Sequence, residues 1–159
     1  MVQRDDGEQR IHARKGVVLA AGGFAHDIER RRQLFPRTPS GHEHLALPPL
    51  ACNGDGLRLG EDAGAVLNTA LKSPVAWAPV SRVPYPDGRV GHFPHIIDRG
   101  KPGLIAVLRS GRRFVNEAEG YYDFVAALLD AVPEGEEVCC WLICDQRFIR
   151  RYGLGIARP

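Results

Sequence analysis

Two adjacent tyrosines lie near the end of the stretch GRRFVNEAEGYYDF, residues 111–124. A phenol has an ordinary pKa of about 10, so it can take a proton from carbon near neutral pH only where its surroundings stabilise the phenolate. Tyr121 and Tyr122 are therefore either proton-transfer candidates or an aromatic contact at a helix start, with hydroxyls at the surface. Earlier in the chain, Asn53-Gly54-Asp55-Gly56 precedes an apolar-periodic run. A helix opening there offers free backbone N–H groups and the carboxylate of Asp55, which is either a ligand contact or a plain helix cap. Ala20, Ala21, Gly22 and Gly23 end the run KGVVLAAGGF, and the glycines let the backbone pass close to something else. Cys139, Cys140 and Cys144 share the apolar segment VCCWLICD, and Cys52 stands alone. A zinc site needs paired ligands about two residues apart and repeated elsewhere, so these are expected to be buried free thiols, with no metal.

The elements that must position these residues are legible in outline. Residues 17–21 have the length and branching of a buried strand, followed by the Gly22-Gly23 turn. Asp27 is placed to cap a helix over residues 28–34 that Pro36 stops. Glu29-Arg30-Arg31-Arg32 reads as the solvated side of that helix. The Pro-rich segment 36–54 reads as a surface loop, and a second helix runs through LRLGEDAGAVL. Residues 75–103 are rich in Pro, Gly and aromatics, which suits short irregular strands or a flexible cover. Residues 104–115 predict a hairpin, with strands at 104–108 and 113–115 about a turn at Arg109-Ser110-Gly111. A helix over 121–129, a strand over 136–144 and a last helix beginning at Asp145 complete the pattern.

Composition limits the function classes. The chain has 159 residues, with 21 Lys and Arg against 19 Asp and Glu, a net charge of +2. That balance gives no field that argues for nucleic acid. No apolar run approaches the roughly 20 residues of a membrane span, and MVQRDDGEQR is unlike a secretion signal, so the expectation is a soluble, cytoplasmic protein with no membrane partner.

Three segments in order, VVLAAGGFAHD, NGDGLRLGEDAGA and GLIAVLRSGRRFVNEA followed by tyrosine, resemble the fumarate reductase and succinate dehydrogenase flavoprotein superfamily. The likeness is greatest to the branch containing the 3-ketosteroid dehydrogenases, which the tail WLICDQRFIRRYGLG also fits. The resemblance implies an α+β fold. Residues 1–74 would be the later part of a Rossmann-like FAD-binding domain, and residues 75–159 the first part of an α+β cap domain covering the substrate. The family's strand–GxGxxG–helix unit, on which the FAD pyrophosphate sits, does not occur in this sequence. The chain is therefore expected to be a middle piece of a larger enzyme. Alone it should be inactive, should not retain FAD, and could self-associate through exposed strand edges.

The resemblance also implies roles. Ala20, Ala21, Gly22 and Gly23 match the segment whose backbone passes the adenosine part of FAD, and Asp55 matches an aspartate that contacts the flavin. Relatives that reduce fumarate carry an arginine proton donor four residues after the glutamate of RFxNE. That position here is Tyr121, and no arginine lies between Glu117 and Arg147. Their histidine near position 76 is also missing from SPVAWAP, so a dicarboxylate would lack cationic partners. In the ketosteroid branch the position is a tyrosine that removes a proton beside a carbonyl while hydride passes to flavin. Tyr121 is then the general base, with Tyr122 the runner-up, and a small hydrophobic ketone is the implied substrate. Arg113 and Glu117 are expected to pin the hairpin to the helix start. The rival reading is a noncatalytic remnant or cap-like module that folds without flavin and binds a partner or small hydrophobic ligand.

Overall fold

The computed structural model describes residues 2–71 and 73–158. It is a mixed helix-and-strand structure with three separate two-stranded antiparallel sheets among the described residues. A short hairpin, β1 (Val2–Arg4) with β2 (Gly7–Gln9), opens the chain and has no counterpart in the sequence reading. Two helices follow, α1 (Ile28–Leu34) and α2 (Asp55–Asp62).

Local rules account for these helix ends. The Asp27 carboxylate accepts the Arg30 N–H at 3.1 Å, as expected for a cap satisfying an orphan donor. Helix α2 starts at Gly54, whose φ of +85° is left-handed and suits glycine, and stops before Ala63 and Gly64. It is shorter than the sequence pattern, and Val66 beyond it is exposed.

Residues 17–21 depart from expectation, because no strand forms there. A buried parallel strand needs neighbours on both edges and cover on both faces. No partner strand pairs with the segment among the described residues, and Val18 is 90% exposed. The reading of α1 as a solvated basic face is also corrected. Arg31 is only 4% exposed and donates to the carbonyls of Ala25 and His44, while Arg30 pairs with Asp27 and Glu61. Of the three arginines, only Arg32, paired with Glu29, lies in solvent.

The second half holds most of the core. Strands β3 (Val80–Pro84) and β4 (Val90–Pro94) form a hairpin, so the Pro-rich region is more regular than its composition implies. Strand β5 (Leu104–Val107) pairs with β6 (Trp141–Cys144), Leu104 facing Cys144 and Val107 facing Trp141. Helix α3 (Tyr121–Ala131) packs Phe124 and Val125 onto Ala106, and Leu128 onto Leu108 and Val132. Helix α4 (Gln146–Tyr152) follows β6, capped by Asp145, which accepts the Phe148 N–H at 2.8 Å.

The expected 104–115 hairpin keeps its turn but loses its second strand, leaving a single bridge between Val107 and Arg113. Glu117 explains the substitution. Its carboxylate accepts the Ala106 N–H at 2.8 Å on the edge of β5, while Arg113 donates to both of its oxygens at 3.0 and 2.6 Å. A side chain thus caps the strand edge and pins the turn to the start of α3, as the sequence reading expected of Arg113 and Glu117.

Burial by itself would raise the Glu117 carboxyl, but the N–H donors of Arg113 and Ala106 outweigh it and hold the carboxyl below its ordinary 4.5. A lowered value in the folded state means the stabilisation is fully present above about pH 4.5 and is lost as pH falls through the folded value. Glu117→Ala should therefore lose about 1–3 kcal/mol at pH 7, the cost of orphaning a buried N–H. In urea titrations the gap from wild type should narrow below pH 4.5. A gap unchanged from pH 7 to pH 3 would refute the role of the charge.

Candidate functional site

The two glycine turns singled out in the sequence lie against each other. The Gly54 N–H donates to the Gly23 carbonyl at 3.1 Å, and the His26 N–H to the Cys52 carbonyl at 2.9 Å. Gly22 has φ of +84°, and a β-carbon there would sit 3.4 Å from the Cys52 sulfur. A β-carbon on Gly56 would sit 3.4 Å from that of Ala21. The glycines let the two backbones approach, and a shallow hollow of about 260 Å³ opens between Leu19, Ala21, Gly22, Gly56, Leu57 and Gly60. Ala20, Ala21, Gly22 and Gly23 are exposed along this face.

Asp55 stands at the first turn of α2, where the positive end of the helix favours a carboxylate. Its own N–H is taken by the Asn53 side chain at 3.2 Å, and its carboxylate accepts from Arg58 at 2.6 Å. Arg58 also donates to Asp27 at 3.1 Å, which ties the α1 cap to α2. Asp55 remains exposed.

The tyrosines diverge. Tyr121 is the first residue of α3 and is 40% exposed. Tyr122, half-buried, lines a cavity of about 580 Å³ together with Phe24, Phe35, Leu57, Trp77 and Leu129. That cavity brings the two halves of the chain together, and Phe35 and Trp77 meet edge to face at 5.3 Å. The structure thus brings Ala21 and Gly23 against Gly54 and Gly56, leaves the Asp55 carboxylate on Arg58, and places Tyr122, not Tyr121, among the cavity walls.

One contributor had no signal in the sequence. Arg37, at φ of +55°, donates to the carbonyls of Leu129, Val132, Pro133 and Glu136, fastening the loop after α1 to the C-terminal end of α3. Those carbonyls lie more than ninety positions away, so only the fold reveals the contact. The four cysteines are free and half-buried. Burial, and then the neighbouring Cys139, push the Cys140 thiol up to about 11. Among the described residues no group of His, Cys, Asp and Glu could hold a metal ion, and no helix is long and apolar enough to cross a membrane.

A family model described as an FAD binding domain matches residues 1–154. A 4-oxocyclohex-2-ene-1-carboxylate 5-dehydrogenase of Sinomonas cyclohexanicum is 39% identical over 150 residues, covering 94% of this chain and 25% of the relative. A 3-oxosteroid 1-dehydrogenase of Mycobacterium tuberculosis is 35% identical over 150 residues, covering 91% and 25%. Among solved structures, the crystal structure of 3-ketosteroid delta1-dehydrogenase from Sterolibacterium denitrificans in complex with 1,4-androstadiene-3,17-dione matches 99% of this chain. Its TM-score is 0.76 at 30% identity, over 27% of that chain. The present chain spans about a quarter of the length of these relatives.

Proposed function

The chain belongs to the FAD binding domain family, and from that premise we propose that it forms the flavin-facing turn and the first part of the substrate cover of a ketosteroid-dehydrogenase-like oxidoreductase. Residues 1–74 are the later part of the FAD-binding domain and residues 75–159 begin the cap. The substrate is a small hydrophobic ketone, oxidised at the C–C bond next to its carbonyl.

The observation that carries this reading is the hydrogen-bonded pairing of the Gly22-Gly23 and Gly54-Asp55-Gly56 turns around an open hollow. The donor set fits part of FAD. Small residues Ala20 to Gly23 admit close backbone approach, and Asp55 offers a carboxylate acceptor beside it. When bound, FAD supplies the acceptor for a hydride. Tyr121 receives the proton from the carbon next to the carbonyl. It is the first residue of α3 and is partly exposed. Phe24, Phe35, Leu57 and Trp77 give the neighbouring cavity an apolar wall that suits the body of a ketone, and Tyr121 stands outside that wall at the start of α3. A second assignment, with Tyr122 as the base, is favoured by the presence of Tyr122 in that cavity wall.

A chimera tests the reading. With this chain replacing the matching segment of the 39%-identical relative, the hybrid should bind FAD stoichiometrically, and an apolar cyclic ketone should bleach it without oxygen. The chain alone should be colourless after desalting, because the pyrophosphate-binding unit is not in its sequence. A folded hybrid without flavin, or one that no ketone bleaches, would overturn the proposal.

A further inference from the structure

Ser81 in β3, His95 just after β4 and Asp98 in the 3-10 turn Asp98–Gly100 are joined in a line. The Ser81 hydroxyl lies 2.7 Å from His95 Nε2, and His95 Nδ1 lies 2.8 Å from Asp98 Oδ2. Neither the flavin reading nor the sequence motifs use these residues. We propose that they form a nucleophilic-serine site that takes small carboxylic esters, independent of the flavin chemistry.

The tautomer follows from the partners. The Asp98 carboxylate only accepts, so His95 Nδ1 carries the proton and Nε2 presents its lone pair to the serine O–H. Asp98 is itself fixed, with Oδ2 accepting the Gly155 N–H at 3.0 Å and Oδ1 the Arg99 N–H at 3.0 Å. His95 is 4% exposed, its ring stands 5.2 Å from that of Phe93, and its own N–H donates to the Pro79 carbonyl at 2.8 Å. A β-carbon on Gly155 would lie 3.1 Å from the imidazole, so glycine is what lets the C-terminal turn pack over the ring. The base is thereby held in one orientation while Ser81 stays exposed. Nucleophile to base and base to orienting carboxylate is the recurring geometry of activated serines, recognised by roles and not by chain order. A cavity of about 190 Å³ bordered by Ser81, His95, Val125 and Leu142 has room for a small acyl group.

The step balances with water alone. Ser81 Oγ bonds to the ester carbon as its proton passes to His95 Nε2, and the alcohol leaves with that proton as the C–O bond breaks. Water, deprotonated by His95, then releases the carboxylic acid and restores the serine.

The test uses the purified 159-residue chain, a fluorophosphonate probe and 4-nitrophenyl acetate. Mass spectrometry should place one phosphonyl group on Ser81, with fluoride released. Ser81→Ala should abolish labelling, and Ser110→Ala in the exposed turn after β5 should leave it unchanged. His95→Gln should slow labelling and ester hydrolysis by about 100-fold or more, the usual contribution of a general base. If circular dichroism shows that His95→Gln has unfolded, Asp98→Asn serves in its place and should slow both by at least about 10-fold. A folded wild-type chain that stays unlabelled, or labels at Ser81 no faster than either folded variant, overturns the proposal.

Discussion

Tyr121→Phe, introduced into a complete flavoprotein carrying this chain, should slow turnover by about 100-fold to 10,000-fold, the range typical of a general acid–base group. Flavin content and fold should be unchanged, since one hydroxyl is removed and the ring is kept. Substrate binding should change little, so the loss falls on kcat more than on KM. The companion change Tyr122→Phe decides between the two phenols. Neighbouring residues on a helix point about 100° apart, so one of them at most faces the reacting carbon. The structure gives this comparison its edge, because Tyr121 opens α3 in an exposed position and Tyr122 lines the 580 Å³ cavity. If Tyr122→Phe fails and Tyr121→Phe retains more than about half the rate, the base is Tyr122 and the four-residue count from Glu117 is the wrong guide. If both variants keep full activity, neither phenol is the base.

Phe124→Ala should destabilise the chain by about 3–5 kcal/mol, the usual cost of emptying a buried aromatic site. Phe124 is fully buried, meets Phe114 edge to face at 5.3 Å, and lies beneath the Arg99 guanidinium at 4.7 Å. Arg99 is itself buried and donates to the carbonyls of His95, Glu117 and Glu119, so one ring supports the link from β4 to the start of α3. The loss approaches the whole stability of a marginal domain, and urea unfolding or thermal melts would measure it. Hydrogen exchange should show the effect concentrated in β5, β6 and α3, where the core clusters lie. A loss below about 1 kcal/mol would mean that this region is not the core.

Features whose causes lie within a few residues could be read from the chain. Asp27 and Asp145 cap α1 and α4 through N–H groups three positions on, and the Gly54 turn opens α2. Helix α3 begins at Tyr121, as its apolar periodicity indicates. The family was legible too, since ordered short motifs survive without knowledge of the contacts. Features that depend on partners distant in the chain could not be read that way. Strand β5 pairs with β6, more than thirty positions away, and a glutamate side chain occupies the edge where residues 113–115 were expected. Residues 17–21 have strand-like composition but no partner strand among the described residues, so they remain irregular. Arg31 looked solvated and is buried, because the carbonyl of His44 comes over it from a later loop. The same holds for Tyr121 and Tyr122, identical in local sequence signal and separated by which of them meets Phe35 and Trp77 across the cavity. Caps and turns form from near neighbours, whereas strand pairing, burial and site membership are set by which distant segments the folded chain brings together.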